Sequence, residues 1–377
     1  MVNRKDINNI IKKFLPVSSN VIGAPRRTTT MKEYAEKKPS FCKLQQITLS
    51  FLHRETIKPP AFFDAAISPW DKECYVACLN NSRVWGSNGA VIAAHDYFIM
   101  DVSREFNKGL NIEHSVFYNI KQFKATKLLG VTAVIGTAGS GIYYHWMIDI
   151  LPRLALIKTI KQFKDIDYFV TGFTELPFQT ETLAKLEIPK EKIIPSNSNG
   201  NFHVNAEVLL APSFAGELDQ PNELQVNFLR SLYEENISTE KSFRRLYISR
   251  KKTNRRAICN ETELTRVLIN KGFEIIYCED LKVSEQVFLF SQAFIIICSH
   301  GSALTNLVFC AAGTIVVDIF NPSHVNACFW FISQINQLEY YYLLGEAKPI
   351  DDNPKNDQTI VDLDELNRLL KKTGLHE

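Results

Sequence analysis

No apolar run in this chain reaches the ~18 residues that a membrane-spanning helix needs. The stretch Met1–Leu15 also lacks the apolar core of a secretory leader. Neither sign of charge dominates, since 43 Lys and Arg stand against 41 Asp and Glu, for a formal net charge of +2. That balance gives no general electrostatic case for nucleic acid as a partner. Eight cysteines are present, yet Cys278, Cys298 and Cys310 sit inside apolar runs and only Cys74 and Cys78 lie close in sequence. Neither a disulfide framework nor the paired spacing of a metal site can be read from them. These absences together give the expectation of a reducing, cytoplasmic setting. What is present is an ordinary globular composition, 45% apolar and 22% charged. At 377 residues the chain is long enough for two domains with full cores.

The most informative stretch runs from Phe294 to Phe320. Phe294–Cys298 and Thr314–Phe320 are apolar and rich in β-branched residues, as buried parallel strands are. Ser302–Ala311 between them is long enough for one short crossover helix, which makes the stretch a βαβ unit. The first strand ends in Ser299-His300-Gly301-Ser302. Gly301 lets a ligand approach the backbone, and the free N–H groups of the helix start suit an anion. His300 falls where the strand's carboxyl end meets the turn, the place where open α/β sheets bind ligands. The turn by itself reads equally as a tight structural corner. Upstream, Arg244–Arg250 reads as a strand, and Lys251, Lys252, Arg255 and Arg256 follow in one short loop before a helix begins at Asn260-Glu261. With a strand at Phe273–Cys278 and a helix at Ser284–Gln292, the block Leu246–Phe320 becomes β-α-β-α-β-α-β. Five cations beside an anion-accepting turn suggest a bound diphosphate, the plain alternative being a solvated basic loop.

The first half carries a second candidate. Val84–Ala94 and Tyr97–Asp101 read as a meander of short strands, with turns at Gly86-Ser87-Asn88-Gly89 and His95-Asp96. Lys127–Ile135 is a strand leading into Gly136-Thr137-Ala138-Gly139-Ser140-Gly141 and a helix from about Ile142. The glycine spacing fits neither a dinucleotide fingerprint nor a P-loop, so the expectation is a flexible loop over the active-site cleft. His145 and Asp149 are spaced i, i+4 on the helix that follows, and Pro152 should bend or end it just beyond them. They form either an ordinary polar stripe or an acid/base pair lining a cleft. Asp165-Ile166-Asp167 has the look of a metal-binding pair, but it precedes the strand Tyr168–Val170 at the edge away from ligand sites and reads as surface charge.

Tyr247-Ile248-Ser249-Arg250, Arg256, Asn260-Glu261, Glu285-Gln286 and Ser299-His300-Gly301 with Leu304-Thr305-Asn306 together resemble glycosyltransferase family 61. The resemblance reaches upstream through Tyr144-His145-Trp146-Met147-Ile148-Asp149 and Leu151-Pro152-Arg153-Leu154, and spans roughly Val84 to Pro322. One departure is His-Gly-Ser-Ala at the turn, where the family usually has His-Gly-Ala-Gly. The resemblance implies an α/β fold of two Rossmann-like domains facing a cleft, the GT-B type. The expected divisions are an N-terminal extension at 1–60, an acceptor-side domain at 61–235, a donor-binding domain at 236–345 and a tail with a helix at 346–377. It implies transfer from a nucleotide sugar, UDP-linked, to a saccharide or lipid-linked acceptor in bacterial surface-polysaccharide synthesis, with inversion. His145 and Asp149 are then catalytic, Asp149 taking the acceptor proton. Arg250, Arg256, Glu261, Glu285, His300, Gly301, Ser302 and Asn306 hold the donor, with the choice between Glu261 and Glu285 for the ribose left open. No metal or other cofactor is expected, and no nucleic acid. Another nucleotide-sugar enzyme, an epimerase or hydrolase, and a non-catalytic nucleotide-binding subunit remain as alternatives.

The edges of the chain are less legible. Asp6–Leu15 has one apolar face and is expected to pack on the protein, or to touch the inner membrane peripherally. Gly23–Ser40 reads as an extended linker, and Ile47–Ala66 shows no period. The helix Asp362–Lys372, capped by Asp362, presents one apolar face that could cross back to the first domain.

Overall fold

The computed structural model describes residues 24–47, 60–63, 73–105, 114–118, 124–136, 138–196, 202–240, 242–253, 255–353 and 356–375. The helix expected at Asp6–Leu15 and most of Ile47–Ala66 lie outside the described residues. By its contacts the chain divides into two compact units, with the break between Ala215 and Gly216, and residues 60–63 counted with the second unit.

The first unit is built on a nine-stranded mixed sheet. Its strands are β1 (Arg27–Thr29), β2 (Cys42–Ile47), β3 (Cys74–Trp85), β4 (Ala90–Ala93), β5 (Tyr97–Ile99), β6 (Thr126–Gly136), β7 (Tyr168–Thr171), β8 (Ile193–Pro195) and β9 (His203–Pro212). Around β3 the pairings with β2, β4 and β9 are antiparallel. This half includes the expected meander, and His95 and Asp96 hold its tight turn at φ 62° and 66°. Beyond β9 the sheet is parallel, in the order β9-β6-β7-β8. Only this half resembles a Rossmann sheet. The first unit thus joins a parallel half to a mainly antiparallel one, in which β1 pairs parallel with β5. Chain order reverses between β6 and β9, so their adjacent carboxyl ends form a switch point.

Between Phe273 and Leu344 the second unit follows the expected alternation closely. Its sheet holds β10 (Arg244–Ile248), β11 (Glu274–Ile276), β12 (Ala293–Ser299), β13 (Ile315–Phe320) and β14 (Glu339–Leu344), all parallel, in the order β11-β10-β12-β13-β14. This doubly wound order places its switch point between β10 and β12. Tyr247, Ile295, Ile297, Val317 and Ile319 bury one face of it, as the unbroken apolar runs require.

Three expectations change here. The crossover Ser302–Phe309 is a 3-10 helix rather than an ordinary one. Eight residues at ~2.0 Å rise span roughly 16 Å, against roughly 12 Å for an α-helix, which helps the short segment run back along a strand of similar length. The boundary falls earlier than residue 235, because Arg230 on the helix Glu223–Leu232 donates to the carbonyls of Val308 and Cys310 in the second unit. The tail also belongs to the second unit. Leu366 and Leu370 of the final helix, Leu363–Lys372, bury themselves against Tyr247, Leu264 and Phe273 in the second unit's core.

Candidate functional site

At the switch point of the second unit the basic loop and the His-Gly turn are stitched together. Arg256 Nε donates to the His300 carbonyl at 3.0 Å, and Ser299 Oγ donates to the Arg256 carbonyl at 2.9 Å. Arg250 Nη2 donates to the Arg255 carbonyl at 2.9 Å, and its guanidinium lies so close over Gly301 that a Cβ there would overlap it. Gly301 has φ 177°, an extended value open to any residue, so the requirement for glycine is one of space. Arg256 itself is held at φ 54°, a left-handed conformation costly for a side chain of this kind.

The charges at this corner are crowded. Burial lowers Arg250, and burial together with Arg250 and Arg255 pushes Arg256 down to about 10. Among the described residues neither Arg250 nor Arg256 forms an ion pair with a carboxylate. Cations held this way are stabilised by an incoming anion. Beside them opens a cavity of about 850 Å³ lined by Lys251, Arg255, Glu261, Tyr277, Asp351 and Asn356. Glu261 Oε1 accepts from Tyr247 and Ser249 at 2.8 and 2.7 Å, which fixes its carboxylate on the wall of this cavity.

Of the three other expected donor residues, Glu285 and Asn306 are placed differently, while Ser302 follows Gly301 as expected. Glu285 caps its own helix by accepting from the Lys282 amide at 2.7 Å, and it lines a separate groove with Glu234–Glu240. Asn306 is fully buried, and its amide donates to Gln286 Oε1 at 2.7 Å. Ser302 is half-buried at the start of the 3-10 helix. Of the two glutamates, only Glu261 stands with the basic loop.

His300 is buried, with its ring stacked on Phe320 at 4.5 Å between centroids. Its Nδ1 lies 2.9 Å from Asp318 Oδ2, which also accepts from Tyr340 at 2.6 Å. The sequence reading passed over Asp318. The signal was there, as a single acid in the otherwise apolar run Ile315-Val-Val-Asp-Ile-Phe320.

In the first unit the carboxyl end of β6 leads through the glycine-rich turn into His145–Ile150. This segment is a π-helix, continued by an ordinary helix from Pro152 to Lys158. In an unbroken α-helix the Pro152 ring would meet the Ile148 carbonyl, and the wider turn relieves that clash. Leu151 accordingly donates to Trp146, five residues back. His145 Nδ1 and Asp149 Oδ2 are 2.7 Å apart, and the side chains are 16% and 7% exposed. One turn further on, Arg153 is fully buried and donates to the Pro212 carbonyl at the end of β9. Arg104 and Arg153 both stack on Phe214, at 4.0 and 4.5 Å. Burial pushes Arg153 down to about 9, with Arg104 adding to the fall and Tyr75 and Asp149 opposing it.

The glycine-rich turn is tied at its carbonyls. Thr171 donates to the Gly136 carbonyl at 2.7 Å, and Gln179 donates to that of Ser140 at 2.9 Å. The expectation of a loop free to flap is corrected on that ground, Thr137 lying outside the described residues. Asp167 accepts from the Val131 amide at 2.7 Å across an irregularity in β6, a local structural use.

Comparison with known proteins gives one match. No curated protein matches the chain. Residues 143–317 match the family model described as Glycosyltransferase 61. The matched stretch begins beside His145 and runs past Gly301, so it takes in both candidate pairs of motifs. On that match residues 143–317 form a glycosyltransferase family 61 domain, which supports a glycosyltransferase acting between a sugar donor and an acceptor.

Proposed function

We propose that this glycosyltransferase takes its sugar from a nucleotide sugar, with UDP the nucleotide to try first. The acceptor is a saccharide or a lipid-linked saccharide of surface-polysaccharide synthesis, and the reaction proceeds in the cytoplasm with inversion and without a metal. This reading keeps the two-Rossmann, GT-B architecture implied by the resemblance, with the donor on the second unit and the acceptor chemistry on the first. The observation that carries it is the pair Arg250 and Arg256, unmatched by carboxylates among the described residues and set at a switch point around Gly301. As the bond from the anomeric carbon to the diphosphate breaks, negative charge grows on the departing oxygen, and fixed cations stabilise it. The same cations supply the charge that a metal would bring, and Asp167 is engaged elsewhere. Glu261 is the side chain best placed for the ribose hydroxyls.

The acceptor hydroxyl must lose its proton as it forms the new bond. The relative burial favours His145 as the group that takes it, with Asp149 behind the ring, the reverse of the order expected from sequence. One such group suits a single displacement and hence inversion. Calorimetry tests the donor half. Arg256→Ala should lose at least ~2 kcal/mol of UDP binding, the scale of a charge-assisted contact. Equal affinity in Arg250→Ala, Arg256→Ala and the parent would remove the cradle, and a preference for NAD over every nucleotide sugar would remove the donor class. With the donor in hand, NMR of the first-formed product assigns the anomer, and excess chelator tests the metal. Release of altered donor without acceptor would identify an epimerase or hydrolase instead.

A further inference from the structure

Asp318 is an expensive residue to keep where it is. It is wholly buried in β13, and its Oδ1 has no partner among the described residues. A buried carboxylate with an orphaned oxygen costs stability, and two hydrogen bonds on Oδ2 offset only part of that. An aliphatic side chain would suit a strand of Ile, Val and Phe better. What the carboxylate gains is control of His300. The ring is boxed by Phe320 at 4.5 Å, Phe329 at 4.9 Å and His324 at 5.8 Å, so it cannot turn without losing those contacts. A carboxylate only accepts hydrogen bonds, so the Nδ1 facing it carries the proton. In the neutral ring Nε2 then carries a lone pair, and among the described residues Nε2 makes no hydrogen bond.

The groups around the ring divide the ligand between them. Asp318 faces it from the neighbouring strand β13, Tyr340 of β14 holds the same carboxylate oxygen, and His324 faces the ring from the turn after β13. Arg256 sits on the carbonyl of His300, and Arg250 lies across Gly301. Guanidinium groups donate and therefore suit phosphate oxygens, whereas a lone pair repels those oxygens and accepts from a hydroxyl. We propose that Asp318, steadied by Tyr340, is the positioning residue of His300, and that the pair presents the Nε2 lone pair to a hydroxyl of the donor sugar. The assignment rests on the nucleotide-sugar reading above. Asp318 itself lies one residue beyond the segment matched by the family model.

Two measurements test it separately. Nitrogen NMR of the full chain labelled with 15N-histidine, with His300 identified by loss of its signals in His300→Asn, should report the Nδ1–H tautomer in the parent. Asp318→Ala should lose that preference. If Asp318→Ala does not fold, Asp318→Asn keeps the volume and shows a weakened one. Calorimetry with UDP, and with the tightest-binding of UDP-glucose, UDP-galactose, UDP-xylose and UDP-N-acetylglucosamine, reads the ligand side. Asp318→Asn should weaken the UDP-sugar by about tenfold while changing UDP less than about threefold, and Tyr340→Phe should fall between parent and Asp318→Asn. A parent His300 protonated on Nε2, or equal weakening of UDP and UDP-sugar, overturns the proposal. A parent that binds none of these ligands removes the donor reading and the hydroxyl with it, while the tautomer still decides the role of Asp318.

Discussion

Single residues at the second unit's corner are constrained by space as much as by charge. Gly301 shows this most directly. Its backbone is compatible with any residue, so Gly301→Ala should fold, yet the added methyl must displace the Arg250 guanidinium. The expected result is a loss of UDP affinity of about tenfold or more with little change in melting temperature, measured by calorimetry and thermal unfolding. Unchanged affinity would mean that Arg250 does not face the donor. The first unit offers the matching case. Asp149→Asn should keep donor binding and lose on the order of 10²–10⁴ in turnover, the range for disabling a general base. If donor binding falls while turnover of the bound complex persists, the His145–Asp149 pair belongs to binding rather than to proton transfer.

Elements decide how far those residues can be read in advance. The π-helix is the clearest case, because Pro152 imposes it on the turn that carries His145 and Asp149. Pro152→Ala permits a regular α-helix through the segment. Stability should hold or rise while turnover drops by about tenfold, as the pair moves relative to the sheet. Parallel drops in stability and turnover would make the proline structural only. The presence of a break was legible from Pro152, but its form was not, since a wider turn and a bend answer the same clash. The parallel sheet of the second unit was legible almost strand for strand, because strands buried on both faces write continuous apolar runs. The mixed sheet of the first unit was not, because β2 and β3 pair over a sequence separation that nothing in the local pattern marks. Glu285 and Asn306 misled for a simpler reason, as helix capping and a buried amide network use the same residue types as ligand binding. Glu105 is a further local device invisible in sequence. Burial works to raise its carboxyl, but hydrogen bonds from Ser115, the nearby His114 and Asn88 outweigh burial and hold it below the usual value. A depressed folded value stabilises the protein above the unfolded value and is lost as pH falls through the folded one. Melting temperature should therefore fall more steeply below about pH 4.5 in the parent than in Glu105→Gln.

Across the whole molecule, a near-neutral chain places one His-Asp pair at the switch point of each unit's parallel strands, His145–Asp149 in one and His300–Asp318 in the other. The second of these leans on a part of the chain that composition could not place. Phe62 and Phe63, in the stretch with no period, pack on the edge of the second unit's sheet. Phe62 stacks on Tyr342 at 4.3 Å, while Phe63 lies against Phe320, Trp330, Tyr340 and Tyr342 at 5.8 to 6.4 Å. Phe320 in turn carries the ring of His300, and Tyr340 carries its carboxylate partner. Truncating Phe63 therefore removes a buried aromatic from the floor beneath the donor corner. Phe63→Ala should cost about 3 kcal/mol, the lower end for such a change in a core. The loss should appear in calorimetric scans in the transition that UDP shifts upward, because a ligand protects only the unit that binds it. Phe62→Ala, at a partly exposed ring, should cost less. UDP-sugar affinity should fall with Phe63→Ala even where the protein is still fully folded, since the stack under His300 loosens before the sheet unfolds. If stability falls but affinity in the folded range is untouched, the aromatic floor holds the fold alone and His300 is held in place by Asp318 and Tyr340 without it.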